Sequence, residues 1–162
     1  MNSVDYSTEQ HFVQSFIRKN RRERLLYELT TPEKRYDGVS RFCHQARDFL
    51  DPARIVMEGE DLERRSEFER FVRQHDELCL TLSPDFWLDE QFLPLKDAVR
   101  QAAVCPDAVL ILGSTFAVVF GEPMKGGRGK FLLSESGLLV YIIYQKRGSI
   151  VKPGEPRFFI YS

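Results

Sequence analysis

The sequence AVLILGSTFAVVF, residues 108–120, consists of two apolar runs separated by Gly113, Ser114 and Thr115. Short apolar runs bounded by turn-forming residues are typical of buried β-strands. A connection this short joins only antiparallel neighbours, because a parallel pair needs a crossover of about a dozen residues or more. Residues 108–120 are therefore predicted to form two neighbouring antiparallel strands.

Further apolar runs lie on both sides of this hairpin, at residues 78–82, 131–133, 138–144 and 158–161. In the first of these runs, leucines alternate with Cys79 and Thr81, which is the two-residue period of a strand. Together the runs predict a mainly antiparallel sheet of about five or six strands. Its strands are expected mainly within residues 77–82 and 108–161, and a helical layer is expected over one face.

The residues before this sheet favour helices. Residues 9–29 carry two apolar sets that would lie on opposite sides of one helix, so a break near Asn20 is expected. Thr31 and Pro32 are favourable residues at a helix start, and apolar residues then recur at steps of three and four as far as Leu50. This segment is the clearest amphipathic helix in the chain.

Residues 60–75 and a segment beginning at Pro94 complete the four or five predicted helices. The fold class is therefore α+β, with a helical N-terminal half packed on the sheet. We expect a single α+β domain over residues 1–162, with its helical part at about residues 9–103 and its β meander at about residues 108–161.

The composition is that of a globular protein, with 43% hydrophobic and 29% charged residues. Residues 1–10 lack the basic start and apolar stretch of a secretory signal, and no run approaches the about 20 apolar residues of a membrane span. Cys43, Cys79 and Cys105 are odd in number and widely spaced, which favours reduced thiols. The sequence therefore predicts a cytoplasmic protein that does not bind a membrane.

No residue set in the sequence indicates catalysis, a cofactor or a metal. His11, His44 and His75 lack the paired spacing of a zinc site. Ser114 follows Gly113 but lies between two strands, whereas a nucleophile elbow leads from a strand into a helix. The protein is accordingly expected not to be an enzyme and to use no cofactor and no metal.

Charge is unevenly distributed along the chain. Lys and Arg minus Asp and Glu gives 14 − 14 = 0 for residues 1–75, 2 − 7 = −5 for residues 76–107 and 7 − 3 = +4 for residues 108–162. Segregated charge of this kind is typical of surfaces that steer a binding partner. The first functional hypothesis is therefore a non-catalytic protein-interaction or regulatory module, with a protein partner or self-association.

A basic stretch within residues 18–35 supports a second hypothesis, nucleic-acid binding. Its candidate contacts are Arg18, Arg21, Arg22 and Arg35, which a phosphate backbone or an acidic protein could recognise. The ordinary alternative is a solvated helix face in a chain whose net charge is only −1.

The glycine-rich residues 124–130 support a third hypothesis, an enzyme that acts on an anionic small molecule. Three glycines would allow close approach of a ligand, and Lys125, Arg128 and Lys130 could contact its negative charge. The stretch differs from a Walker loop because it leads into a strand, so an ordinary hairpin connection is the alternative.

Phe86 and Trp87 lie among acidic residues in a segment predicted to be a loop. Tryptophan and its aromatic neighbours are enriched where one protein meets another, and an apolar cluster bounded by charge is typical of a binding surface. The alternative is that these side chains fold inward and fill the core. Phe86 and Trp87 are the candidate contacts for a protein partner.

Overall fold

The computed structural model describes residues 5–122 and 128–135. The α-helices of these residues are α1 (Ser7–Phe16), α2 (Lys19–Leu29), α3 (Pro32–His44), α4 (Ala46–Phe49), α5 (Ser66–Gln74) and α6 (Leu95–Val104), with 3-10 helical turns at Pro52–Arg54 and Leu62–Arg64. The strands are β1 (Ile55–Glu58), β2 (Leu78–Leu82), β3 (Gln91–Pro94), β4 (Val109–Leu112), β5 (Phe116–Phe120) and β6 (Lys130–Ser134). Among the described helices, none combines the length and apolar character needed to cross a bilayer.

The strands of the described residues form one sheet in the order β1-β6-β5-β4-β2-β3, and every neighbouring pair is antiparallel. Strands β4, β5 and β6 form a meander, and β2 and β3 form a hairpin beside it. The predicted α+β class and antiparallel sheet are confirmed. The strands expected at residues 138–144 and 158–161 lie outside the described residues.

Helices cover both faces of the sheet, whereas the sequence predicted cover on one face. Leu110 and Val119 pack with the apolar residues of α1, α2, α3 and α4. Ile111 and Val118, which point the other way, pack with those of α5 and α6. Every residue of β4 and β5 is buried. An apolar run without polar alternation is the pattern of a strand buried on both faces, which explains the second layer.

The helical half is interrupted after α1 and again between α3 and α4. Ile17 lies in the gap between α1 and α2, close to the break expected near Asn20. The helix expected to continue to Leu50 is divided at Gln45 into α3 and α4. Ile17 and Leu50, the residue that follows α4, pair in an isolated antiparallel bridge, so the gap after α1 and the end of α4 form one contact within the helical layer.

Candidate functional site

Residues 83–90 connect β2 to β3 and form what we call the aromatic loop. Phe86 and Trp87 are 82% and 81% exposed, and their ring centroids lie 5.6 Å apart at an interplanar angle of 79°. Leu88, the next residue, is buried in the core beneath the sheet. The loop therefore directs its leucine inward and its two aromatic side chains into solvent.

Asp85 organises the aromatic loop from within. Its Oδ1 accepts a hydrogen bond from the backbone N–H of Trp87 at 2.8 Å. Its backbone oxygen accepts from the N–H groups of Leu88 at 3.1 Å and Asp89 at 2.9 Å. A carboxylate that binds the amide two residues ahead is a standard means of fixing a turn. The backbone that carries Trp87 is therefore held on both sides.

The ends of the loop are attached to the sheet. Ser83 Oγ donates to the Ala108 carbonyl at 2.6 Å, and Thr81 Oγ1 donates to the carbonyl of Gln91 at 3.2 Å. The N–H of Glu90 donates to the Thr81 carbonyl at 2.8 Å. Glu90 has a φ of 58°, in the left-handed region that non-glycine residues seldom adopt. The surrounding contacts therefore fix a conformation that an isolated loop would rarely hold.

Arg35 on α3 links the aromatic loop to the helical layer through ion pairs. Its side chain is only 8% exposed, and its Nη2 lies 3.1 Å from Asp89 Oδ1. Nη1 lies 3.1 Å from Glu90 Oε1 and 3.7 Å from Glu9 Oε2 on α1. The sequence predicted Arg35 as a partner contact. In the fold it is buried, so its contacts position the loop.

Glu9 is the most buried acid of this cluster, at 3% exposure. Burial raises the pKa of its carboxyl, and the nearby Arg35 guanidinium opposes this effect. Glu9 Oε1 and Arg35 Nε have no hydrogen-bond partner among the described residues. The ion cluster is therefore incompletely satisfied, and its stability depends on which groups carry charge.

A second polar cluster lies beneath the loop, where one ligand atom each from Asp85, Cys105 and Asp107 falls within 4.8 Å of the others. One thiol and two carboxylates have metal-ligand chemistry. Cys105 Sγ donates to Asp85 Oδ2 at 3.6 Å, which accounts for the approach of these two groups. The cluster leaves no local pattern in the sequence because Asp85 and Cys105 are 20 positions apart.

The basic stretch contacts the chain itself. Arg18 Nε donates to the Leu50 carbonyl at 2.9 Å, and Arg22 Nε donates to the Ile17 carbonyl at 2.9 Å. The guanidinium of Arg21 lies over the Phe49 ring at 5.2 Å. These contacts close helix ends and cover an aromatic ring, so they do not favour the nucleic-acid hypothesis, which stays a prediction.

Arg128 and Lys130 of the glycine-rich stretch also form contacts within the chain. Arg128 donates to the carbonyls of Ala102 at 3.0 Å and Asp107 at 2.7 Å, and also to that of Gly121. Lys130 is 6% exposed, and its Nζ lies 2.7 Å from both carboxylate oxygens of Glu63. Lys125 lies outside the described residues. The anion-binding hypothesis stays a prediction that the contacts of Arg128 and Lys130 do not favour.

A groove of about 350 Å³ lies between the end of α3 and the end of β5, lined in part by Cys43, His44, Glu122 and Phe131. Burial raises the pKa of the Cys43 thiol, which keeps it in the unreactive protonated form. The thiol in this groove is therefore not activated as a nucleophile.

Comparison of the chain with protein-family models, with curated proteins and with solved structures finds no significant match. The fold and site define an α+β domain that presents a fixed, exposed aromatic pair.

Proposed function

We propose that the protein is a non-catalytic interaction module that recognises a partner protein through Phe86 and Trp87. The observation that carries the proposal is the exposure of both rings, 82% and 81%, on a loop whose backbone is fixed by hydrogen bonds. Water contact with two large aromatic rings is unfavourable, and a partner that buries them gains apolar area at the interface.

Preorganisation of the aromatic loop strengthens this argument. Binding usually costs free energy because side chains and loops must be ordered at the interface. Asp85, Thr81 and Arg35 already hold the loop, so less order has to be imposed when a partner arrives. Tryptophan is among the residues that most often dominate binding energy at interfaces. Trp87 is therefore assigned as the central contact and Phe86 as its neighbour.

The described thiols do not support a catalytic alternative. Burial raises the pKa of Cys43, Cys79 and Cys105, whereas a nucleophilic cysteine needs a lowered pKa. Phe86 and Trp87 themselves have no acid–base chemistry. A binding role accounts for the exposed rings, and a reaction does not.

Affinity capture from a native lysate tests the proposal with three baits: the unmodified protein, Trp87→Ala and Tyr27→Ala. Tyr27 is a matched control because it is an aromatic residue on α2 that is 58% exposed. We expect a partner that the unmodified protein and Tyr27→Ala retain and that Trp87→Ala loses. The purified partner should bind Trp87→Ala about 30-fold more weakly, as removal of an interface hot spot does. Partners retained equally by all three baits would refute the proposal.

A further inference from the structure

The surface around the aromatic pair is acidic. Asp85, Asp89 and Glu90 belong to the loop itself, and Asp107 approaches it from the connection between α6 and β4. Glu90 has a 59% exposed side chain, and Asp89 is 30% exposed. Negative charge at this end of the sheet is therefore accessible to solvent beside the two rings.

The cation nearest to these acids cannot neutralise the surface fully. Arg35 is buried and faces Glu9, Asp89 and Glu90, so one guanidinium serves three carboxylates. Arg128 lies beside Asp107, so the acids without a second cation are those of the loop itself, and we expect them to give the exposed rings a negative local potential. Such a potential attracts cations and repels phosphate backbones and acidic segments.

The rings themselves also attract cations. The face of an indole carries partial negative charge, and Trp is the most favourable aromatic partner for a guanidinium or an ammonium group. Trp87 meets Phe86 edge to face, which leaves 81% of its surface accessible. An arginine or lysine side chain that lies on Trp87 would gain from the ring and from the neighbouring carboxylates together.

The neighbouring edge strand indicates that recognition uses side chains and not strand addition. Leu95 N–H donates to the Glu77 carbonyl at 2.9 Å. Hydrogen-bonded and non-hydrogen-bonded pairs alternate along antiparallel strands, so the next pair, Leu78 and Pro94, is of the second kind and directs its backbone N and O atoms away from each other. Among the described strands β3 lies at the edge of the sheet, and Pro94 has no N–H on the side that faces away from β2, where an added strand would require one. A short edge with an outward proline is a common barrier to strand pairing.

We infer that the partner of the aromatic loop is a basic segment of another protein, one that carries arginine or lysine together with an apolar anchor. The inference rests on the proposed function, because it names the chemistry of the partner at the same site. The apolar anchor buries Phe86, and the cation lies on Trp87, attracted also by the acidic residues of the same loop. A second copy of this chain and an acidic or neutral partner are the competing occupants.

Selection from a displayed library of random short peptides tests the chemistry of the occupant directly. The immobilised bait is the unmodified protein, and binders that also bind Trp87→Ala are removed. We expect the remaining peptides to be enriched in Arg or Lys together with aromatic or aliphatic residues. Enrichment of acidic or neutral peptides, or no enrichment, would overturn the basic-partner inference, while the Trp87-dependent capture described above would still decide the proposed function separately.

Fluorescence of the protein's single Trp measures the local potential without a partner. Relative to its quenching of a free tryptophan amide, caesium should quench Trp87 more efficiently than iodide does, because the negative surface concentrates cations. Glu90→Lys should reduce this difference, and Glu69→Gln on α5 should leave it unchanged. Equal relative quenching by both ions in the unmodified protein would remove the basis of the inference.

Binding of a selected basic peptide should blue-shift the Trp87 emission and weaken as salt is raised. Glu90→Gln should weaken it by about two- to fivefold, the range of an exposed ion pair. A concentration-dependent blue shift of the protein alone would instead identify a second copy as the occupant and overturn the inference.

Discussion

Glu9 on α1 belongs to the ion cluster in which Arg35 holds the aromatic loop against the helical layer. It faces Arg35, which also binds Asp89 and Glu90, and burial raises the pKa of the Glu9 carboxyl. A group whose pKa is raised on folding contributes stability that is present below its unfolded pKa and is lost as the pH rises through its folded pKa. The charged form of Glu9 therefore disfavours the folded state at neutral pH.

The Glu9→Gln variant should accordingly gain stability relative to the unmodified protein as the pH rises. The gain should grow from near the ordinary Glu pKa of 4.5 to the raised folded value and then stay constant. Urea unfolding at a series of pH values measures the difference. Asp61→Asn is the control of opposite sign, because a hydrogen bond from Arg65 lowers the pKa of Asp61. A pH-independent difference for Glu9→Gln would contradict the prediction.

Lys130 gives a second prediction at the scale of a single residue. Its Nζ binds both carboxylate oxygens of Glu63 and the carbonyl of Glu60, each at 2.7 Å. Lys130→Met leaves the Glu63 carboxylate, 21% exposed, without its cation. We expect a loss of about 2–3 kcal/mol in the free energy of unfolding, below the full cost for a completely buried pair because Glu63 is partly solvated.

The double variant Lys130→Met with Glu63→Gln provides the control, measured by the same denaturant unfolding. It should recover more than half of the loss, because the unpaired charge is gone. A double variant no more stable than Lys130→Met would show that the loss comes from the missing hydrogen bond to the Glu60 carbonyl and not from the unpaired Glu63 charge.

Sequence reasoning identified Phe86 and Trp87 because an aromatic cluster among acids is visible in a short segment. It could not establish that their side chains point outward. That orientation depends on the hydrogen bond between Asp85 and the Trp87 N–H and on the burial of Leu88 in the core. The role of Arg35 was equally inaccessible, because its partner Asp89 lies 54 positions away. Long-range ion pairs leave no local pattern in a sequence.

Among the elements, β3 shows how an edge strand escapes prediction. Its four residues, Gln91–Pro94, have no clear alternation and end in a proline, which sequence rules treat as the start of α6. These residues form a strand because they pair with β2, where Leu80 lies opposite Phe92 and Cys79 opposite Leu93. The central strands were predictable because their apolar runs are strong by themselves.

Pro94→Thr should expose β3 to pairing with another chain. The substitution restores an N–H on the side of β3 that faces away from β2, and threonine is favourable at the start of α6, so the helix should be retained. We expect a greater fraction of dimers and larger species by size-exclusion chromatography with light scattering, at little change in the unfolding midpoint. Pro106→Thr, an exposed proline in the connection between α6 and β4, is the matched control. Equal association of the two variants would contradict the role assigned to Pro94.

At the scale of the whole molecule, one sheet separates two apolar layers. Cys43 lies in the layer of α1 to α4 and Cys79 in the layer of α5 and α6. The sequence predicted the helical half, the sheet and their contact, because each depends on local periodicity. It did not predict which helices lie on which face, since that is decided by the connections between elements and not by any single apolar stripe.

The two layers should unfold together, because β4 and β5 contribute side chains to both. Val118 faces one layer and Val119 the other, so Val118→Ala and Val119→Ala should each lower the free energy of unfolding by about 2 kcal/mol.

Pulsed thiol labelling with mass spectrometry follows each layer separately, since Cys43 and Cys79 are buried and burial raises the pKa of Cys79 to about 12. Both thiols should become reactive at the same denaturant midpoint in the unmodified protein, and either valine substitution should lower that midpoint equally for both. If Val119→Ala exposed Cys43 at lower denaturant than Cys79, the layers would be separate cooperative units and the sheet would not couple them.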